Sequence, residues 1–278
     1  MKLYNTRNGP IIKSNRSFYN CGNADWDVFV NDDDLFRKMT RIVQENVRAR
    51  NGSETLDSVL KSPIQSQELW GAGVTYFRSK EGREEESKDA GGGKFYLHVY
   101  EAERPEIFLK ATPHRVVGPH EKVRIRRDST WNCPEPELTL MITSNGKIVG
   151  YTIGNDMSSR SIEGENPLYL PQAKTYDKCA ALGPCIYVTE SPLPKNTVIE
   201  MKILRAGKLV FEGRTRVGQI KRTFDELVDY LYRECSFPHG SLLMTGTGIV
   251  PPSDFTLQSG DRIKITIDPI GTLENSVE

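Results

Sequence analysis

Long apolar runs are missing from this chain: nothing approaches the roughly 20 consecutive apolar residues that a bilayer-spanning helix needs. The opening MKLYNTRNGP has no apolar core of the kind a secretory leader carries. Cysteine is scarce and unpatterned, five residues with no CxxC spacing, which argues against a disulfide framework or a zinc knuckle and leaves buried thiols as the plain reading. Histidine is scarcer still, and none of His98, His114, His120 and His239 sits in a metal-ligand pattern. An excess of either charge is also absent: 37 basic residues balance 37 acidic ones, so there is no electrostatic case for nucleic acid or a membrane surface. These absences point to a cytoplasmic protein that handles small molecules. No internal repeat is visible.

What is present suits a sizeable core. The chain has 278 residues, 37% of them apolar, enough for one large domain or a large and a small one. In NDDDLFRKMTRIVQENVRAR, Leu35, Met39, Ile42, Val43 and Val47 recur at helical spacing behind an Asn/Asp cap. A polar, turn-rich stretch follows, then the β-like LWGAGVTYF, so residues 1–66 read as a small accessory domain and 67–278 as the main one. The charged run RSKEGREEESKDAGGGK has no apolar face and is expected to be mobile; a solvated loop and an active-site lid hinged at Gly91 to Gly93 both remain open. From Ile107 on, short runs such as EIFLKAT, KVRIRRD, ELTLMIT, KIVGYTI, VIEMKIL, KLVFEGRT and DRIKITID read as strands. LRAGKLVF reads as a hairpin, and TFDELVDYLYREC as a helix with a Thr223/Glu226 capping box. The expected fold is mixed α/β and β-rich, mainly antiparallel with a few helices.

The informative stretch is WNCPEPELTLMITSNGKIVGYTIGND. Asn145-Gly146 between two β-like runs signals a two-residue hairpin turn. If Ser144 pairs with Lys147, Glu135 falls opposite Asp156, and Glu137, two residues along, shares the same face. Three clustered carboxylates repel one another unless a cation neutralises them. Oxygen-only ligation favours Mg²⁺, with Mn²⁺ or Ca²⁺ as alternatives, over zinc. By spacing alone, solvent-facing strand residues and a turn cap stay open as the other reading, because a bulge would shift the facing by one residue.

PEPELTLMI followed by GYTIGNDMSSR, then PLYLPQAKTYDKCAALGPCI and a late MTGTGIVPP, resembles the fumarylacetoacetate hydrolase superfamily from about Leu69 onward. The resemblance implies a mixed β-roll catalytic domain, a homodimer or higher homo-oligomer, and a divalent metal on Glu135, Glu137 and Asp156. DMSSRSIEGENPLYLPQAK and RPEIFLKATPHRVVGP are similar to the branch of 2-keto-3-deoxy-D-arabinonate dehydratases. Two departures from the C–C hydrolases of the superfamily support that branch: GAGVTYFRSKEGREE lacks the water-activating histidine, and Ser161 stands where an Asp is common.

A 2-keto acid presents carboxylate and keto oxygens in bidentate spacing, and a metal bound there acidifies C3. Loss of the C4 hydroxyl then completes a dehydration. The resemblance makes Lys174 the candidate proton mover and Glu106 the candidate acid for the leaving hydroxyl. Thr247, Gly246 and Arg78 are candidate substrate-binding residues, Lys110 a partner for Glu106 or a cover for apolar surface, and Arg160 a structural residue near Asp156. The alternative activity is metal-dependent hydrolysis of the C–C bond of an acylpyruvate.

Overall fold

The computed structural model describes residues 1–45, 56, 58–86 and 98–278. Val47 and Gly91 to Gly93 lie outside them. The chain starts with β1 (Lys2–Tyr4), β2 (Ile11–Ser14), β3 (Ser17–Asn20), α1 (Trp26–Val30) and α2 (Leu35–Glu45). Next come β4 (Glu68–Gly73), α3 (Phe77–Glu86), β5 (Glu106–Ala111), β6 (Val116–Val117) and β7 (Lys122–Val123). The long strands β8 (Asn132–Ile142) and β9 (Ile148–Ser159) lead into α4 (Arg160–Glu165) and α5 (Leu170–Lys174). The remainder is β10 (Ala180–Tyr187), β11 (Val198–Arg205), β12 (Lys208–Arg216), α6 (Phe224–Tyr232), β13 (Ser241–Met244), β14 (Arg262–Ile267) and β15 (Gly271–Val277).

Among the described residues the strands form two sheets. One runs β3-β2-β1-β10-β9-β8-β13-β4-β5 with β6 beside β10; the other runs β12-β11-β14-β15-β7. Most neighbours are antiparallel, but β13 with β4, β10 with β6 and β15 with β7 are parallel. The period-2 alternation of β8 divides its side chains between two cores. Leu138, Leu140 and Ile142 pack with Ile199, Met201, Ile263 and Ile265 between the sheets. Met141 points the other way, to a core with Leu69, Leu242 and Met244 that Trp26, Phe29, Leu35 and Met39 of α1 and α2 cover. The second face also carries Glu135, Glu137 and Thr139.

That face is cleared of bulk near the carboxylates. A Cβ on Gly154 would meet Thr139 Oγ1 at 2.4 Å and Met244 Cε at 2.7 Å, and one on Gly71 would strike the Phe108 ring at 2.6 Å. The N-terminal segment is tied to the β8–β9 turn: Asp33 accepts from Thr143 Oγ1 (2.6 Å) and Asn145 Nδ2 (2.9 Å), and Asn31 Oδ1 from the Ser144 amide (2.7 Å).

Four local expectations are corrected. The charged run from Arg78 to Glu86 is helical, since its Arg, Lys and Glu residues favour a helix without needing an apolar face. KVRIRRD contributes only the two residues of β7. Thr223 caps α6 by accepting from the Glu226 amide, but the Glu226 carboxylate takes Arg222 as partner, so half the capping box forms. The Asn145-Gly146 turn is three residues long, closed by Thr143 N to Lys147 O (2.9 Å) with Gly146 at φ 77°. By contrast the hairpin expected in LRAGKLVF forms between β11 and β12 with a two-residue turn, Arg205 facing Lys208 across Ala206-Gly207.

Candidate metal centre and active site

The longer turn would slip the register by one residue, but a bulge between Met141 and Ile142 takes up the slip, since Met141 faces Gly150 while Ile142 faces Ile148. Glu135 therefore still faces Asp156, and Glu137 faces Gly154. Prolines 134 and 136 bracket Glu135 without weakening the ladder. The carbonyls of Asn132 and Leu138 point away from β9, accepting from the Leu257 and Thr245 amides. By strand alternation the nitrogens of Pro134 and Pro136 point to the same side, and β13 pairs with β8 only from Thr139 to Ile142. The missing donors fall where no strand asks for them.

Carboxylate oxygens of Glu135, Glu137 and Asp156 all lie within 4.8 Å of one another. The three residues are 7%, 3% and 1% exposed. Burial, then the charges of Asp156 and Glu135, push the Glu137 carboxyl well above the usual carboxylate range; Lys174 and the Gly246 amide, 2.5 Å from Glu137 Oε2, pull it back. A tight set of hard oxygen donors holding one reluctant charge is what a divalent ion would relieve, so these residues fit Mg²⁺ or Mn²⁺.

Three cations surround the carboxylates. Lys174, the last residue of α5, sends Nζ to Glu135 Oε2 (2.7 Å), Asp156 Oδ2 (3.0 Å) and Ser158 Oγ (2.6 Å), with Glu163 Oε1 at 3.4 Å. Lys110, fully buried on β5, was expected either to pair with Glu106 or to cover apolar surface; instead its Nζ lies 2.6 Å from Asp156 Oδ1 and donates to the carbonyls of Met157 and Lys174. That ammonium is poorly aligned on Asp156 Oδ1, so this contact is a charge pairing more than a hydrogen bond. Arg160, at the start of α4, places Nη2 3.4 Å from Glu135 Oε1 and stacks on Trp131 at 5.7 Å.

A cavity opens over the cluster, lined by Glu135, Glu137, Asp156, Lys174, Phe108 and Thr247 among others, with Gly73, Ser79 and Gly246 at its wall. Among the described residues no histidine lines it. Glu106 faces Gly73, and its carboxylate occupies the space a Cβ on Gly73 would take, 1.8 Å from Oε2. The Gly246 amide is committed to Glu137, and the Thr247 hydroxyl turns on itself, accepting from Ile249 N and donating to Ile249 O. Arg78 is not brought to the cavity; it pairs with Glu81 at 3.2 Å on the exposed side of α3. Sequence reasoning missed Ser158, Glu163 and the contact of Lys110 with Asp156. The signal for Lys110 was available, since Glu106, Phe108 and Lys110 alternate onto one face of β5.

The family model for the fumarylacetoacetate (FAA) hydrolase C-terminal domain matches residues 76–278. The chain is 49% identical over 216 residues to the probable 2-keto-3-deoxyxylonate dehydratase of Haloferax volcanii, covering 77% of this chain and 73% of that one. It is 46% identical over 224 residues to the 2-dehydro-3-deoxy-D-arabinonate dehydratase of Saccharolobus solfataricus, covering 80% and 75%. Among solved structures, 2-keto-3-deoxy-D-arabinonate dehydratase complexed with magnesium and 2,5-dioxopentanoate superposes with a TM-score of 0.84 at 37% identity, covering 100% of this chain and 99% of that one. The chain belongs to the fumarylacetoacetate hydrolase family.

Proposed function

We propose that this protein is a divalent-metal-dependent hydro-lyase that dehydrates a 2-keto-3-deoxy sugar acid, of the type that converts 2-dehydro-3-deoxy-D-arabinonate to 2,5-dioxopentanoate. The carrying observation is the Lys174 ammonium set against Glu135 and Asp156 at the wall of a cavity that no described histidine lines. The relatives named above as dehydratases, one solved with magnesium and the dioxo acid, support the same reading.

Glu135, Glu137 and Asp156 would hold the ion. When bound, it draws electron density from the keto oxygen and makes the C3 hydrogens more acidic. Once its ammonium has released a proton, the Lys174 amine would take the C3 proton, its stem fixed at the end of α5 and its Nζ beside Ser158. Glu106 approaches from β5 and would protonate the C4 hydroxyl as it leaves as water. The resulting double bond shifts by proton transfers through C4 and C5 to give the terminal aldehyde. Thr247 lines the same wall and would meet the substrate carboxylate. With no histidine between Tyr76 and Gly93, that stretch lacks the imidazole expected to activate water against a carbonyl carbon.

The same reading includes a homodimer or higher homo-oligomer and a cytoplasmic location. Exposed Leu168, Leu209 and Val210 offer apolar surface to a second copy, and no described helix is long and apolar enough to cross a membrane. Light scattering measures the assembly. The activity is tested by incubating the protein and Mg²⁺ with a panel of 2-keto-3-deoxy acids and acylpyruvates and identifying products by mass. Water loss to a dioxo acid is expected; release of pyruvate from an acylpyruvate would replace this reading with hydrolysis.

A further inference from the structure

The Lys174 ammonium has two kinds of partner. Glu135 and Asp156 belong to the carboxylates that fit a divalent ion, whereas Ser158 and Glu163 do not. An ion seated among Glu135, Glu137 and Asp156 takes the lone pairs that now hold the ammonium, and it repels that ammonium at short range. Of Ser158 and Glu163, the two named partners left, Glu163 carries the charge. It is 1% exposed, as is Lys174, so water screens little of their attraction.

The local fold explains how Glu163 gets there. Helix α4 begins directly after β9, and Arg160 and Glu163, three apart, share one of its faces. Arg160 reaches Glu135 while Glu163 reaches Lys174, so one helical turn supplies both a cation and an anion to the site. Four buried carboxylates, Glu135, Glu137, Asp156 and Glu163, here face three buried cations, Lys110, Arg160 and Lys174. Without Glu163, a divalent ion would raise a cluster of three carboxylates and three cations to two net positive charges.

Resting on the reading of this site as a metal centre, we propose that Glu163 is a positioning residue that retains the Lys174 ammonium when the ion claims Glu135 and Asp156. The lysine thus yields to the ion without leaving the cavity. Glu163 touches neither the ion nor the substrate; it acts through Lys174.

The test is Mn²⁺ affinity, read from the electron paramagnetic resonance signal of the free ion. Wild type, Glu163→Gln, Lys174→Met and the double variant are compared, with circular dichroism melts to confirm folding. Glu163→Gln should weaken binding by about tenfold or more, a coupling within the range for residues in direct contact. Lys174→Met should bind at least as tightly as wild type, and in that background the Glu163→Gln loss should shrink to about twofold or less. Glu163→Asp, which keeps the charge, should recover most of the affinity. An unchanged affinity in Glu163→Gln, or an equal loss in both backgrounds, overturns this inference alone. Wild type that binds no Mn²⁺ overturns the metal reading and this inference with it.

Discussion

Lys174 and the three carboxylates share hydrogen bonds, yet their removal should fail in different ways. Lys174→Met keeps the length of the stem while deleting the proton carrier. Turnover should fall by roughly 10² to 10⁴, as for other general bases, while keto-acid binding, followed by calorimetry, stays close to wild type. A matching loss of binding would mean that Lys174 holds the substrate and does not move its proton. Loss of Glu135 should instead remove the response of the protein to metal, because Glu135 both fits the ion and anchors Lys174 and Arg160.

At the scale of elements, the pairing of β4 with β5 makes Glu106 testable without touching it. Gly73→Ala puts a methyl where the Glu106 carboxylate now lies. The carboxylate is the far end of a flexible side chain, so the strands should survive and the acid should swing away. Activity is expected to drop about 10- to 100-fold with little change in the melting curve; a full-activity variant would remove Glu106 from the chemistry. A second element-scale expectation concerns the docking of the N-terminal segment on the β8–β9 turn. Hydrogen bonds from Thr143 and Asn145 hold the Asp33 carboxyl below the usual aspartate range. The stabilisation is then fully present above the ordinary value of about 3.9 and is lost as pH falls through the lowered one. Asp33→Asn should be less stable than wild type at neutral pH, and the gap measured by urea unfolding should close in strong acid.

The same elements show what was legible in advance. Pairing of Glu135 with Asp156 followed from a turn signal and strand periodicity, yet it held because two departures cancelled: a longer turn and a bulge at Met141. Neither is written in local composition, since bulges answer to packing across the sheet. Strands with strong alternation, such as β11 and β14, were readable. Strands β10, β13 and β15 were not, because AALGPCIY is buried at all but Pro184 and Tyr187, SLLM is buried throughout, and GTLENSV alternates only weakly in its residue types. Helix α3 was missed for the converse reason, a search for an apolar face where propensity sufficed. At the site, the carboxylates came from the hairpin register and Lys174 from the family motif, while Glu163 and Lys110 are brought in by the tertiary placement of α4 and β5.

For the whole molecule, an ion that binds only the folded state raises stability by mass action. Mg²⁺ or Mn²⁺ at about 100 times its dissociation constant should add about 2.7 kcal/mol, seen as a higher melting temperature that chelator reverses. Identical melts with and without ion would argue against an occupied centre. We propose residues 1–66 as an accessory unit. Strand β1 joins the large sheet through β10, so deleting this unit should expose the β10 edge and yield aggregated protein, assayed by size-exclusion chromatography.

The prolines beside Glu135 bear on what can enter the cavity. A backbone edge that offers N–H groups is an invitation to any extended peptide, which can add itself as a further strand. Between Asn132 and Leu138 that edge of β8 has carbonyls but, at 134 and 136, no donors. Loose polypeptide therefore finds no template next to the carboxylates: the strand is buried, Leu257 and Thr245 already take the Asn132 and Leu138 carbonyls, and the prolines offer no donors, so the acidic pocket is not plugged by an unfolded chain.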